Sequence, residues 1–543
     1  MRSLLLPIFS SFFALLLSHG PLVAEVQKSE FSVFPAMYQL YHPVSTRNPK
    51  AQESFNKGLT FVFAYNHDLA FREFEKASQI DPNLAMAYWG MAVALGQNIN
   101  TDVTPENEKK AYAYSQKALS LLSQASPVEQ AYIKALVQRY TNDPNQDLVA
   151  LRFVYRDAMK KVMNEYPEDL DAATLYAESI LNLDPWKYWT WDGKPKDGTL
   201  EARDVLENVL NHDPDHIGAN HFYIHAVEAS PWPERALLSA FRLTSLLPIS
   251  GHLLHMPNHI FLPTGYYQEG IETSNKAIAQ DWKYIDEYGM KGEYPLHYLT
   301  HNLKVLVRVY MLSEDRENAI KTANELHQLL EPHYAKMPHL EKHRIIPMEV
   351  LMYFHRWKTI VETKVPKTSD AFVQSYWHFG RAVAYLKLGD IASYQREKKL
   401  MLDAKKKIAS DAEIANNPAV SIIELGELVL DAAYSHHEKD LSASIATLRK
   451  AVDKQDRLEY DEPPAWYLPL RIELGKALLE EKQYNEAEQI FRKELTKLNR
   501  NGRLLYGLFL SLRSQDRSWD TYWVEREMKA ALRHSTTPIK SDW

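Results

Sequence analysis

Apolar residues recur every three or four positions through most of this chain, the spacing that gives a helix one buried face. Period-two alternation, which marks a half-buried strand, is convincing nowhere, so the chain is predicted to be all-α. The helices come in pairs. Residues 51–84 hold a first helix with Gly58 and Phe61, a polar turn at Asn66–Asp68, and a second helix with Ala70, Phe74 and Ala77, closed by Pro82. One such hairpin cannot bury its apolar faces alone, so neighbouring hairpins must stack and cover one another.

The pattern repeats. In a thirty-four-residue frame from Ala51, the marked residues hold positions 8, 11, 20, 24, 27 and 32. That arrangement resembles the tetratricopeptide repeat, and it returns near Tyr88, Asp169, Ile217, Gly251, Thr300 and Val373. Its best C-terminal copy starts at Leu468, with Gly475 at position 8, Ala487 at position 20 and Phe491 at position 24. Residues 332–369 are helical without an assignable register, and Ser421–Val452 fit the frame poorly. Gly507 marks a final half-unit, which a helix over Trp523–Leu532 would cap. The expected fold is an α-solenoid, a right-handed superhelix of such hairpins. Its divisions are 1–24 as signal peptide, 51–330 as N-terminal array, 331–370 as irregular connector and 371–543 as C-terminal array. First helices line the concave groove of this repeat class, through positions 2, 5, 9 and 12.

Composition narrows the possible partners. The 543 residues exceed one compact core, and a net charge of −7 without a long basic block argues against nucleic acid. Arg2, an apolar run over Leu4–Leu17, and small residues up to Ala24 have the order of a secretory signal peptide. The mature chain is therefore expected in the periplasm or outside the cell, with no transmembrane segment. The absence of cysteine excludes disulfides, thiolate ligands and thiol nucleophiles. No P-loop, G-x-G-x-x-G or G-x-S-x-G occurs, so no nucleotide cofactor is expected.

Against this background the stretch His216–His259 stands out. His221, His225 and Glu228 fall at positions 5, 9 and 12 of the unit starting at Ile217. His252, His255 and His259 fall at positions 2, 5 and 9 of the next. All six should face the groove from consecutive first helices, 8–10 Å apart in such packing. Neutral imidazole binds zinc or copper, and an i, i+4 pair clamps an ion. The predicted metal ligands are His221, His225, His252, His255 and His259. Glu228 would act as a fourth ligand, as an acceptor of a ring N–H, or as a proton acceptor in catalysis. Pro257 should kink its helix. Tyr176, His301, Lys304 and Arg308 extend the predicted ligand groove, with Asn66 and His67 at a turn and Asn98 and Asn100 on a polar loop. The insert PWKYWTWDGK (185–194) reads as a lid or as a loop covering apolar ridges, and EPPAWYLP (462–469) as an elbow or a groove contact.

The phrases NHDLAFREFEKA, AYWGMAVALGQNIN, HIGANHFYIHAVEAS, GHLLHMPNHIF and EPPAWYLPLRIELGKALL resemble those of a family of exported bacterial tetratricopeptide proteins. That resemblance implies the fold and implies that the Asn/His phrases at 66–67 and 98–100 belong with the central histidines. The chain departs from the family phrase at Gln97, where proline is more usual. Three functions fit these residues. One is an exported solenoid with a zinc or copper site that binds a protein, peptide or small molecule in its groove. The second is a metalloenzyme, hydrolase or oxidoreductase, using that ion. The third is a metal-free scaffold for protein partners.

Overall fold

The computed structural model describes residues 40–290, 293–537 and 539; the expected signal peptide lies outside them. The described residues form one compact unit. Consecutive helices pair as antiparallel hairpins that stack in chain order, so the fold is an all-α solenoid of tetratricopeptide-like hairpins. Pro49–Phe63 pairs with His67–Ile80, Ala85–Leu95 with Pro105–Ser120, and Leu170–Leu181 with Thr199–His212. Farther on, Ala371–Lys387 pairs with Ile391–Lys405 and Leu470–Glu480 with Tyr484–Leu495. No helix among the described residues is long and apolar enough to cross a membrane.

The repeat positions work through close approach. Phe74 fits between Gly58 and Gly90, where an added Cβ would come within 2.7 and 2.4 Å of its ring. Phe491 fits between Gly475 and Gly507 in the same way, at 2.3 Å from both. Each fully buried phenylalanine contributes roughly 1.5–3 kcal/mol of burial that an alanine at either glycine would disturb. Some second helices start at a polar side-chain cap: Asn66 accepts from Leu69 N–H and Asp440 from Ala443 N–H.

The structure sharpens several expectations and corrects one. Ser421–Val452 is a full hairpin, Ala419–His437 against Leu441–Asp456, although its side chains fit the frame poorly. Residues 332–369 hold 3-10 turns and two short helices, Ile346–Tyr353 and Trp357–Glu362. A two-residue ribbon, Glu413–Ile414 against Asn417–Pro418, occurs where no strand was expected, because Ala415 and Asn416 both take positive φ and turn the chain back. Pro257 does more than kink its helix. The first helix of that unit stops at His255 and resumes at Asn258.

The helix Ile217–Val227 differs from the amphipathic helices around it in that all eleven of its residues are buried. Neighbouring helices cover its sides, and Pro49–Phe63, four units earlier, packs on it as well. The C-terminal array also meets the middle of the chain. Tyr267 donates to Asn499 O at 2.8 Å, Asn499 N donates to Pro263 O at 3.1 Å, and buried Arg503 pairs with Glu314 at 2.8 Å. These contacts bring residues 460–467 over the central first helices.

Candidate metal centre

The six histidines form two sets of three. In the first, His221 Nε2 lies 3.2 Å from His225 Nε2 and 3.1 Å from His252 Nε2. In the second, His255 Nε2 lies 2.8 Å from His259 Nε2 and 2.9 Å from His301 Nε2. Each set can offer three nitrogens to one ion. Two imidazole nitrogens held 2.0–2.1 Å from a tetrahedral ion are roughly 3.3 Å apart, which the first set approaches and the second undershoots slightly. The sets are neighbours: the His225 and His259 ring centroids are 5.5 Å apart.

Glu228 joins them from behind. Its Oε1 lies 2.7 Å from His225 Nδ1, and its Oε2 is bonded to His259 Nδ1. Tyr460 donates its hydroxyl to the same Oε2 at 2.8 Å. Burial alone would raise the Glu228 pKa, yet the charge on His259 and the hydrogen bonds from both rings bring it down to about 2. Glu228 is therefore a carboxylate that can only accept, so both Nδ1 atoms carry the protons. His221 Nδ1 lies 2.6 Å from the Phe63 carbonyl oxygen, which fixes the same tautomer. In neutral rings, His221 and His225 thus aim Nε2 lone pairs at each other across 3.2 Å. Without a cation between them, that contact is repulsive.

Electrostatics supports neutral rings in most positions. Burial first, then the neighbouring imidazoles, hold His221, His252 and His255 well below the ordinary histidine range. His301 is lowered as far, by burial and then by Lys304. Burial lowers His225 as well, against the pull of Glu228. For His259 burial is again the largest single effect, but the Glu228 charge and hydrogen bond, with Glu462 and Asp461, together outweigh it and raise the pKa.

Local structure explains the aim of these rings. His216 caps the helix Ile217–Val227: its Nδ1 accepts from Ala219 N–H, and its Nε2 lies 3.2 Å from Asp171. Asp171 also holds His42 at 2.7 Å, closing a satisfied His–Asp–His group that braces the helix and that sequence reading did not single out. The break at Met256–Pro257 separates the backbone of His255 from that of His259 while both rings still meet.

Two aromatic side chains flank the rings from left-handed backbone, a conformation that costs a non-glycine residue about 1–2 kcal/mol. Tyr65 (φ 52°) lies edge-on to His221, with centroids 4.6 Å apart. Trp186 (φ 67°) stacks near His259 and stands edge-on to His225. The Trp186 indole N–H also donates to Ile99 O at 2.9 Å, tying the 185–194 insert to the 96–101 loop. That insert lies over the histidines, and residues 460–467 meet them from the other end.

Other predicted residues separate into those at the centre and those outside it. His301 belongs to the second set rather than to the surrounding groove, because position 2 of its unit faces His255. Asn100 and Lys304 line the cavity beside the rings. Arg308 donates to Tyr467 O and lies under that ring, so it holds the 460–467 segment. Tyr176 lies away from the histidines, donating to Glu201 at 2.7 Å. Asn66 is the cap of its helix. His67 lies one ring behind, beside Tyr65, and its pKa is lowered to about 4 by burial and then by Arg139. Asn98 holds the loop by accepting from Asn100 and Thr101 N–H. The sequence hinted at Tyr65 only through its place beside Asn66 and His67, and Tyr460 through its place beside EPPAWYLP.

A cavity of about 370 Å³ opens on these rings. His225, His252, His259 and His301 form its inner wall.

No protein-family model matches the chain, and no curated protein matches it. Among solved structures it is similar to the human IFIT1 dimer with m7Gppp-AAAA, at 12% identity over 83% of this chain and 90% of that one, with a TM-score of 0.33. It is also similar to the TPR domain of P58(IPK), at 12% identity over 86% and 99%, TM-score 0.21. Yeast Tom70 matches at 11% identity over 87% and 97%, TM-score 0.29.

Proposed function

We propose that this is an exported helical-repeat protein that holds a pair of transition-metal ions, zinc or copper, one at each set of three histidines. The observation that carries the reading is the pair of Nε2 lone pairs on His221 and His225, which face each other at 3.2 Å while their Nδ1 protons are committed to Phe63 O and Glu228. Burying unsatisfied polar atoms in like-charged opposition is costly, and a cation removes the cost. Glu228 supplies the carboxylate that metal-bound histidines commonly meet at their other nitrogen.

A second reading, that the ions are catalytic, has its own support. Three protein ligands leave a tetrahedral ion with one open position, and four of the six rings border the cavity. A pair of adjacent ions would clamp or polarise a bound ligand there. The metal-free scaffold has no comparable observation in its favour.

Elemental analysis of the purified chain, reconstituted separately with zinc and with copper, tests the proposal. Two ions per chain are expected, falling to one when His221 and His225 are both changed to Ala. Less than one ion per chain under every loading condition would sink it.

A further inference from the structure

Besides the histidines, the cavity lining carries charges of both signs. Lys304 stands on the helix Glu293–Leu312, with His343 on the 338–345 turn. Asp461 and Glu462 stand on the segment that crosses from the C-terminal array. Lys304 and Asp461 feel each other's charge, and the described ion pairs do not include one between them. Glu462 is 9% exposed, and its Oε1 is buried without a hydrogen-bond partner. An unpaired carboxylate oxygen and an unbridged ammonium lining one cavity are each costly unless something enters to satisfy them.

Flat rings make up part of the remaining lining (Trp186, Tyr298, Tyr467 and the Pro463–Pro464 pair), beside Asn100, Glu349, Asn416 and Lys342, whose ammonium donates to Glu413 O. Burial raises the Asp461 pKa to about 6 and the Glu462 pKa to about 7, while Lys304 is lowered by burial against the pull of Asp461. All three groups are thus short of solvation, and each would gain from an opposite charge delivered by a ligand.

We infer that the cavity binds a small zwitterion of the α-amino acid class. Its carboxylate meets Lys304, its ammonium meets Asp461 and Glu462, and its side chain lies against the aromatic wall. This inference rests on the metal reading only for what the ligand would face on the inner wall. The volume of about 370 Å³ lies at the small end of ligand pockets, which suits one amino acid or a dipeptide. A macromolecular strand would need a longer groove than this lining describes.

Calorimetry with L-phenylalanine, L-phenylalanine amide and 3-phenylpropanoate separates the two charges, with L-alanine as a smaller amino acid. The full chain should bind phenylalanine at least about tenfold more tightly than either analogue, since each lacks one charge-assisted contact. Lys304→Met should erase the preference over the amide and keep that over 3-phenylpropanoate. Asp461→Asn with Glu462→Gln should do the reverse. Thermal unfolding of each variant checks that it is folded. Equal binding of all three compounds, a preference for the plain acid, or no binding of either amino acid overturns the proposal. Metal content measured on the same samples keeps the two readings apart. Two ions without zwitterion binding leaves the centre standing and removes this inference, and zwitterion binding by an ion-free chain does the opposite.

Discussion

The two histidine sets are built from the same residue type on adjacent helices, yet their surroundings differ. His221 and His225 lie on an unbroken helix buried on every side, and each Nδ1 has an acceptor that fixes its tautomer. His255 and His259 lie on either side of the break at Met256–Pro257, and His255 Nδ1 is buried without a partner among the described residues. The first set is therefore held ready for an ion, and the second can adjust. A ring with an unconstrained tautomer can place a proton on Nε2 and donate to its neighbour, so the short contacts of the second set tolerate the absence of an ion. The His221–His225 pair, with both Nδ1 protons committed, has no such escape. Glu228 serves both, accepting from His225 and from His259.

Removing that shared carboxylate should have the largest effect. Glu228→Gln replaces an acceptor-only group with an amide that cannot accept both ring protons at full strength. Metal affinity is expected to fall about 10–100-fold at both sets, measured by competition with a chromophoric chelator. An effect confined to one set would break the symmetry assigned to Glu228.

Next in size is the contrast between the sets themselves. His221→Ala should abolish tight binding at the first set and leave one ion per chain. Restoring an Nδ1 partner to His255 would sharpen the second set, whereas His255→Ala should lose only the weaker ion. Titration with chelator, followed by metal analysis, checks the order; loss of the first-set ion before the second would reverse the comparison.

Acid acts on both sets. His221, His225, His252, His255 and His301 all have folded-state pKa values below the ordinary range, burial being the first cause. The unfolded chain then binds more protons than the folded one once pH drops below about 6.5. Stability from these five is present above that pH and is lost as pH falls. His259 is raised and works in the opposite sense, one group against five. The metal-free chain should show a falling Tm between about pH 7 and pH 5, and the loaded chain a steeper fall as protons displace ions. A flat profile would contradict the neutral-ring description.

The smallest expected effect is at Trp186, which touches one ring of each set. Trp186→Phe should leave both ions in place and shift their affinities by less than about tenfold, the scale of a lost hydrogen bond to Ile99 O. Copper loading should quench the fluorescence of the parent chain more than that of this variant.

Much of this was legible in the sequence because repeats are local. Gly58 with Phe74, and Gly475 with Phe491, meet inside one hairpin, so a fixed spacing reveals them. The direction of His221, His225, His252, His255 and His259 followed from the same frame. The division into two sets did not, because it depends on how far two stacked helices rotate against each other and on the break at Pro257. His301 was placed in the groove, although the frame put it at position 2, the place His252 holds in the unit before. Tyr460 over Glu228 and Arg308 under Tyr467 join residues 232 and 159 positions apart, and no period predicts such closure. Tyr65 escaped notice because its role depends on a positive φ that an aromatic residue does not advertise.

Anomalous diffraction at the zinc or copper edge, from crystals of the loaded chain, tests the central claim most directly. The account predicts two peaks, each 2.0–2.1 Å from three Nε2 atoms: those of His221, His225 and His252 for one, and those of His255, His259 and His301 for the other. A single peak bound through Nδ1 of His225 and His259 beside Glu228, or no peak within reach of these rings, would contradict it.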